Sequence, residues 1–413
     1  MNSCLRAADI LLPRKGTDLS RWPVVACDQF TGREAYWREA ERIVGDAPST
    51  LNLIFPEVWL GCGGEDERIC RINRAMEEAE RSVLEVAVRD GFVLVRRSCP
   101  GGVRLGLVGK IDLEDYDYRP GAGTLIRATE GTILSRIPPR VKIREHASLE
   151  LPHIMMLLDD PCGRLIEALD ARRGEMRKLY ETELMLEGGH LEGYAVEGPL
   201  ARETEEVISQ LQAACGGFFL AAGDGNHSLA TAKACWQMRK ESLSEQEQLE
   251  DPARFALCEV VNVHSPALVF RPIHRILEGE GAQQLHAAFK ENVRSCGMEL
   301  VPGEEILLLD GQGRHPLSVQ GRGDRLPVDV LQACLDAFLE AHPAVTIDYL
   351  HDSSDVEAAV ARGGVGMLLQ PMDKSALFPA ISAGGVLPRK TFSMGEGNEK
   401  RYYMECRRIR RTR

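Results

Sequence analysis

Residues 224 to 228, Asp-Gly-Asn-His-Ser, put an acid, a hinge, an amide, an imidazole and a hydroxyl on consecutive positions between the apolar "LAAG" and the alanine-rich "LATAKACW". Gly225 permits a positive backbone φ, and the residues after it would offer helix N–H groups that have no intrahelical acceptor. Such a terminus, aided by the helix dipole, attracts anions. Asn226, His227 and Ser228 could add hydrogen bonds to a phosphate. Asp224 would repel phosphate, but it suits Mg²⁺ or the orientation of a substrate hydroxyl. The structural alternative is a capped turn, with Asp224 or Asn226 as cap and His227 on a backbone carbonyl. The string lacks GxxxxGK[ST], which argues against Walker-type nucleotide binding.

A second polar stretch, "IRATEGTILSRIPPRVKIREH", gathers Arg127, Arg136, Arg140, Lys142 and Arg144 around Thr129, Glu130 and Thr132. Cations beside one carboxylate fit a site that receives a multiply charged phosphate next to a general base. A solvated basic face is the alternative, and helical spacing lets two or three of the cations converge. The third stretch, "GGVLPRKTFSMGEGNEKRYYMECR", offers Arg389, Lys390 and Ser393 to close over a substrate, with Lys400 and Arg401 as further phosphate contacts; a structural turn fits equally well. The isolated His153, His264, His274 and His351 are expected in core or turn positions.

The elements that would position these groups follow from periodicity. A short strand is expected at "WPVVAC", a helix over 33–44, and a longer helix through "EDERICRINRAMEEAERSVLEVAVRDG". "FVLVRRS" and "VRLGLVGKIDL" predict strands about a Pro-Gly-Gly turn, followed by a strand at 124–127, a helix starting near the paired prolines and a strand at "HIMMLLDD". A hairpin around Gly188–Gly189, a helix over 200–214 and the strand "GGFFLAAG" lead into the Asp224 motif. Further strands and helices predict an α/β or α+β C-terminal lobe. Changes of texture suggest regions 1–121, 122–245 and 246–413.

The 413-residue chain carries 50 Lys and Arg against 62 Asp and Glu, a formal charge of −12, which opposes non-specific binding to nucleic acid. The basic terminal run Arg407–Arg413 is expected to fray. Twelve cysteines show no CxxC pair and no short Cys/His cluster at zinc spacing, so they are expected mostly as small core residues and no structural zinc site is predicted. With no signal-peptide pattern and no apolar run of about 18 residues, the sequence reads as cytoplasmic, without membrane contact.

Taken together, "ADILLPRKGTDLSRWPVVACDQFTGREAYW", "PSTLNLIFPE", "RATEGTILSRIPPRVKIREHASLELPHIMMLLDDP", "GDGNHSLATAKACW" and "VLPRKTFSMGEGNEKRYYMECR" resemble the bacterial and archaeal domain of unknown function 1015 family over nearly the whole chain. The resemblance implies a mixed α+β fold: a ParB/sulfiredoxin-like core with added N-terminal and C-terminal α/β lobes. It also implies likeness to free serine kinases of that superfamily. Glu130 then matches the catalytic glutamate, and Asp224 with His227 the groups at the phosphate-binding helix. Substrates would be L-serine and pyrophosphate or a nucleotide, with Mg²⁺. Relatives' His-Glu-x-Thr becomes Thr129-Glu130-Gly131-Thr132 here, and their Asp-Gly-His-His-Arg becomes Asp224 to Ser228. Ser228 in place of arginine removes a bidentate clamp, so an anion must lean on backbone N–H groups and on other cations. A ParB-like nucleotide-binding switch is the second reading.

Overall fold

A computed structural model describes residues 3–323 and 325–411. It has two compact units, Met1–Leu268 with Gly395–Arg413, and Val269–Met394. The divisions at 121/122 and 245/246 suggested by texture do not separate bodies. Strand Phe255–Asn262 pairs with Gly102–Asp112 on one side and Met155–Leu158 on the other, so all three expected regions share one sheet.

That mixed sheet runs, in spatial order, Tyr116–Asp117, Ile126–Ala128, Leu220–Asp224, Met155–Leu158, Phe255–Asn262, Gly102–Asp112, Leu84–Cys99, Gly189–Val196 and Lys178–Leu184. Both of its faces are covered, which is why its central strands are apolar at nearly every position. Along Leu84–Cys99, Phe92 and Leu94 enter one core with Trp236, Leu229 and Ile208, whereas Val93 and Val95 enter the other with Trp22, Trp37 and Tyr403. The fold is mixed α+β, as expected.

Several elements depart from their periodicity. The long α-helix Glu65–Glu78 runs on only through a π turn, Ala79–Val83, and "LEVAVRD" belongs to the strand Leu84–Cys99. Pairing with Ala8–Pro13 decides this: Val86 faces Leu11 and Val88 faces Ile10, so neighbouring strands override an ambiguous local pattern. "WPVVAC" contributes a single bridge, Val25 to Tyr402. The basic terminus is anchored: Arg407 bonds buried Glu150, Arg408 reaches Glu80, and the two arginines pair as a strand with Leu149–Glu150. Thr412 and Arg413 lie outside the described residues. Cys4, Cys258, Cys334 and Cys406 are buried as expected, but Cys62, Cys70, Cys162 and Cys296 are exposed.

The second unit packs helices Leu285–Ser295, Pro327–Ala341 and Ser353–Ala361 with a five-stranded sheet, ordered Gly313–Gln320, Glu299–Asp310, Val365–Leu369, His274–Glu278, Thr346–Leu350. Among the described residues no helix is long and apolar enough to cross a membrane.

Candidate active site

Strands Ile126–Ala128 and Leu220–Asp224 lie side by side and parallel, with Ala128 opposite Ala222. Their C-terminal ends therefore bring the Thr129-Glu130 and Asp224-Gly225 segments together, the edge at which open α/β sheets bind ligands. The Thr129 hydroxyl donates to the Ala222 carbonyl at 2.7 Å and accepts from Asn226 Nδ2 at 3.3 Å, tying the two motifs directly. Glu130, half-buried, follows at the strand end.

Gly225 makes the turn into the helix Asn226–Lys240 with φ +74°. A Cβ there would stand 3.0 Å from Ile154 Cα and 3.2 Å from His153 Cδ2, so conformation and space both require glycine. The helix holds its place through buried Leu229, Ala230, Ala232 and Trp236, and Arg239 and Lys240 suit the dipole at its far end. The first intrahelical bond runs from Leu229 N to Gly225 O at 2.9 Å, so the N–H groups of Asn226, His227 and Ser228 precede the ladder. Buried Asn226 Oδ1 and Thr132 Oγ1 have no hydrogen-bond partner among the described residues.

Around this terminus stands a half-buried ring of charge. Asp224 Oδ1 accepts from Gly225 N at 3.0 Å, and Oδ2 lies 3.3 Å from Lys400 Nζ. Arg97 and Arg104 fix the lysine's backbone by gripping the carbonyls of residues 398–400. Asp28 Oδ2 lies 3.7 Å from His153 Nε2, whose Nδ1 is 2.6 Å from the Tyr403 hydroxyl. Burial pushes the Asp28 carboxyl up, but His153, a bond from Gln29 and Lys400 outweigh it and hold Asp28 below the usual range. Glu57 is raised by burial and by Asp28 despite its bond to Arg140. Arg140 also donates to the Arg136 carbonyl at 2.8 Å.

His227 does not carry charge here. Burial first, then Arg140 and Arg136, lower its pKa to about 4. Its Nε2 accepts from Ile133 N at 3.3 Å, which makes Nδ1 the protonated nitrogen and ties the loop after Glu130 to the helix. His227 thus makes a positioning bond through Nε2.

The expected cations divide. Arg136 and Arg140 act on His227, but Arg127 turns away, stacking 4.6 Å over Phe218 and donating to Thr124 and Gly217 carbonyls. Lys142 pairs with exposed Asp66 at 2.5 Å, because two positions along a helix from Arg140 points it to another side. Arg144 is spent on Glu150. Lys390, with Arg389, belongs to the second unit, where it occupies a left-handed turn at φ +62°. Arg401 is not a phosphate contact either, being buried against Glu259 and Glu405. Ser228 sits half-buried in the first helical turn.

Sequence reasoning missed Asp28 and Glu57 and set His153 aside as a core or turn residue. Asp28 ends the apolar "WPVVAC" and Glu57 follows "IFP"; an acid closing an apolar run was the available signal.

Comparison with solved structures gives remote likenesses. A free serine kinase in complex with AMP is 10% identical with a TM-score of 0.37, covering 70% of this chain and 87% of that one. A conserved hypothetical protein from Pyrococcus furiosus is 10% identical with a TM-score of 0.34, covering 69% and 89%. SbnI with C-terminal truncation from Staphylococcus aureus is 9% identical with a TM-score of 0.37, covering 70% and 83%. Likeness at this level carries neither substrate nor residue roles across. No curated protein matches the chain. A family does match: over residues 11–374 the chain belongs to the family described as "Protein of unknown function (DUF1015)".

Proposed function

We propose that the protein is a small-molecule kinase that transfers a phosphoryl group from inorganic pyrophosphate to the hydroxyl of free L-serine. What carries the reading is one juxtaposition: Glu130 and the open N-terminus of the 15-residue helix Asn226–Lys240 follow neighbouring parallel strands that end on the same edge. A carboxylate that can take a proton then stands beside backbone donors that can hold an anion.

Glu130 accepts the serine hydroxyl proton as the serine oxygen bonds to phosphorus. The bridging P–O bond of pyrophosphate breaks, and inorganic phosphate leaves. The amides of Asn226, His227 and Ser228, with Arg136 and Arg140, bind the phosphate oxygens. Lys400 offsets their charge beside Asp224. His227 fixes the loop that follows Glu130. Asp224 and Asp28 are hard oxygen donors of the kind Mg²⁺ takes alongside phosphate, and they would hold such an ion with Lys400, 3.3 Å from Asp224, turned onto the phosphate. Mg²⁺ bound there would neutralise phosphate charge. Positioning and charge neutralisation dominate this class of transfer, which asks little covalent chemistry of the protein.

The purified protein, given L-serine, Mg²⁺ and pyrophosphate, should form O-phosphoserine. Parallel reactions with ATP or ADP identify the donor, and no product with any of the three overturns the reading. Donor hydrolysis with salt-sensitive DNA binding and no O-phosphoserine favours the nucleotide switch instead. Glu130→Gln should lower kcat by about 10²- to 10⁴-fold with little change in KM for serine.

A further inference from the structure

The second unit holds a group of side chains that the kinase reading does not use. Asp310 closes the strand Glu299–Asp310, and His315 lies in the next strand, Gly313–Gln320, after a tight turn. His286 comes from the start of the helix Leu285–Ser295. His315 Nε2 is 3.0 Å from Asp310 Oδ1, and His286 Nδ1 is 3.8 Å from Asp310 Oδ2. The two imidazole rings are 4.4 Å apart between centroids and tilted by 52°. One ligand atom from each of the three residues lies within 4.8 Å of the others.

We propose that His286, Asp310 and His315 bind one divalent transition-metal ion of the zinc class. The Asp310 side chain is 3% exposed, while His286 and His315 are 30% and 24% exposed, so a fixed carboxylate sits beneath two imidazoles that solvent can reach. Oδ1 already accepts from the backbone N–H groups of Gln312 at 2.8 Å and Gly313 at 3.1 Å, which sets the plane of the carboxylate. Oδ2 faces His286 from beyond hydrogen-bond distance. An ion with metal–ligand bonds of about 2.0–2.2 Å spaces tetrahedral donors about 3.3–3.6 Å apart, a distance that small ring rotations reach here.

The donor set selects the class. Two imidazoles and one carboxylate suit Zn²⁺, Co²⁺ or Ni²⁺, whereas Mg²⁺ and Ca²⁺ take oxygen donors. Three protein ligands leave at least one coordination position open. A second grouping, Glu181, His190 and Glu192, differs in kind: Lys178 Nζ lies 2.7 Å from Glu181 and 2.8 Å from Glu192, so those carboxylates already have their cation. Sequence spacing did not signal the His286 group, since 24 and 5 residues separate its members and a helix-to-hairpin contact assembles them.

The full-length protein, stripped with a chelator and titrated calorimetrically with Zn²⁺, should take up one equivalent. Co²⁺ at the same stoichiometry should give visible absorption bands. Zn²⁺ should raise Tm, and a large excess of Mg²⁺ should not displace it. The double variant His286→Gln, His315→Gln should lose that equivalent, the bands and the Tm shift while keeping the parent's circular dichroism. If the double variant fails to fold, the single variant His286→Gln, at the half-exposed helix position, reads the same loss. No uptake by the parent chain, or undiminished uptake by the variant, overturns the proposal. Neither outcome depends on serine kinase activity.

Discussion

Lys400 and Arg401 are neighbours in sequence with opposite employment. Lys400 reaches Asp224 at the N-terminus of the helix Asn226–Lys240, whereas Arg401 is buried, paired with Glu259 and Glu405 and donating to the Pro152 carbonyl at 2.8 Å. Successive side chains on extended chain point to opposite sides, so one segment serves the site and the core at once. The core cluster is closed tightly, with the Tyr180 hydroxyl also on Glu405. The site's charges stand farther apart, with Asp28 Oδ2 3.7 Å from His153 Nε2 and Asp224 Oδ2 3.3 Å from Lys400 Nζ. Charges locked to one another hold the fold; charges held apart can respond to a ligand.

Arg401→Met breaks this contrast most severely. It leaves Glu259 and Glu405 buried without their counter-ion, which costs about 3–5 kcal/mol and should appear as a large fall in the denaturant midpoint. Gly225→Ala should come next, at about 1–3 kcal/mol, because it combines positive φ with a 3.0 Å approach to Ile154 Cα. Urea unfolding measures both, and a neutral Gly225→Ala would show that the turn relaxes away from His153. Lys400→Met should destabilise less than Arg401→Met, since it frees one carboxylate held at 3.3 Å and not two fully buried ones, yet raise KM for the phosphoryl donor. Equal destabilisation by the Lys400 and Arg401 variants would erase the distinction between site and core.

The same pair explains how much the sequence disclosed. The Asp224 motif and the Glu130 motif were legible because each is local: a glycine before an alanine-rich helix, and a carboxylate after a short apolar strand. Their meeting follows from the parallel pairing of two strands about ninety residues apart, and there the family resemblance supplied the expectation. Cation assignment failed where direction decided it. Arg127, Arg136, Arg140 and Lys142 look alike in sequence, but strand and helix geometry sends Arg127 to Phe218 and Lys142 to Asp66. Asp28, Glu57 and His153 were hidden for another reason: no spacing relates them, and loops and a short helical turn from separate segments bring them together. The three-region division failed because texture follows local composition, whereas bodies follow strand pairing.

His227 gives the smallest effect at neutral pH, its stability contribution being lost only in acid, and the sharpest test of the charge ring. Burial, Arg140 and Arg136 hold its pKa near 4 against an ordinary value of 6.5. Between those values the unfolded chain binds the proton more readily, so unfolding free energy rises with pH across that window. The stability gained by keeping His227 neutral is complete above pH 6.5 and is lost as pH falls toward 4. His227→Gln keeps an acceptor for Ile133 N and cannot titrate, so the parent should lose stability relative to the variant from pH 6.5 down to 4 and run parallel to it above. Activity gives the complementary reading. Because the imidazole is already neutral at pH 7, the variant should keep any neutral-pH inflection of kcat/KM seen in the parent. An inflection that disappears with His227→Gln would mean that burial, with Arg140 and Arg136, does not hold the imidazole neutral at pH 7.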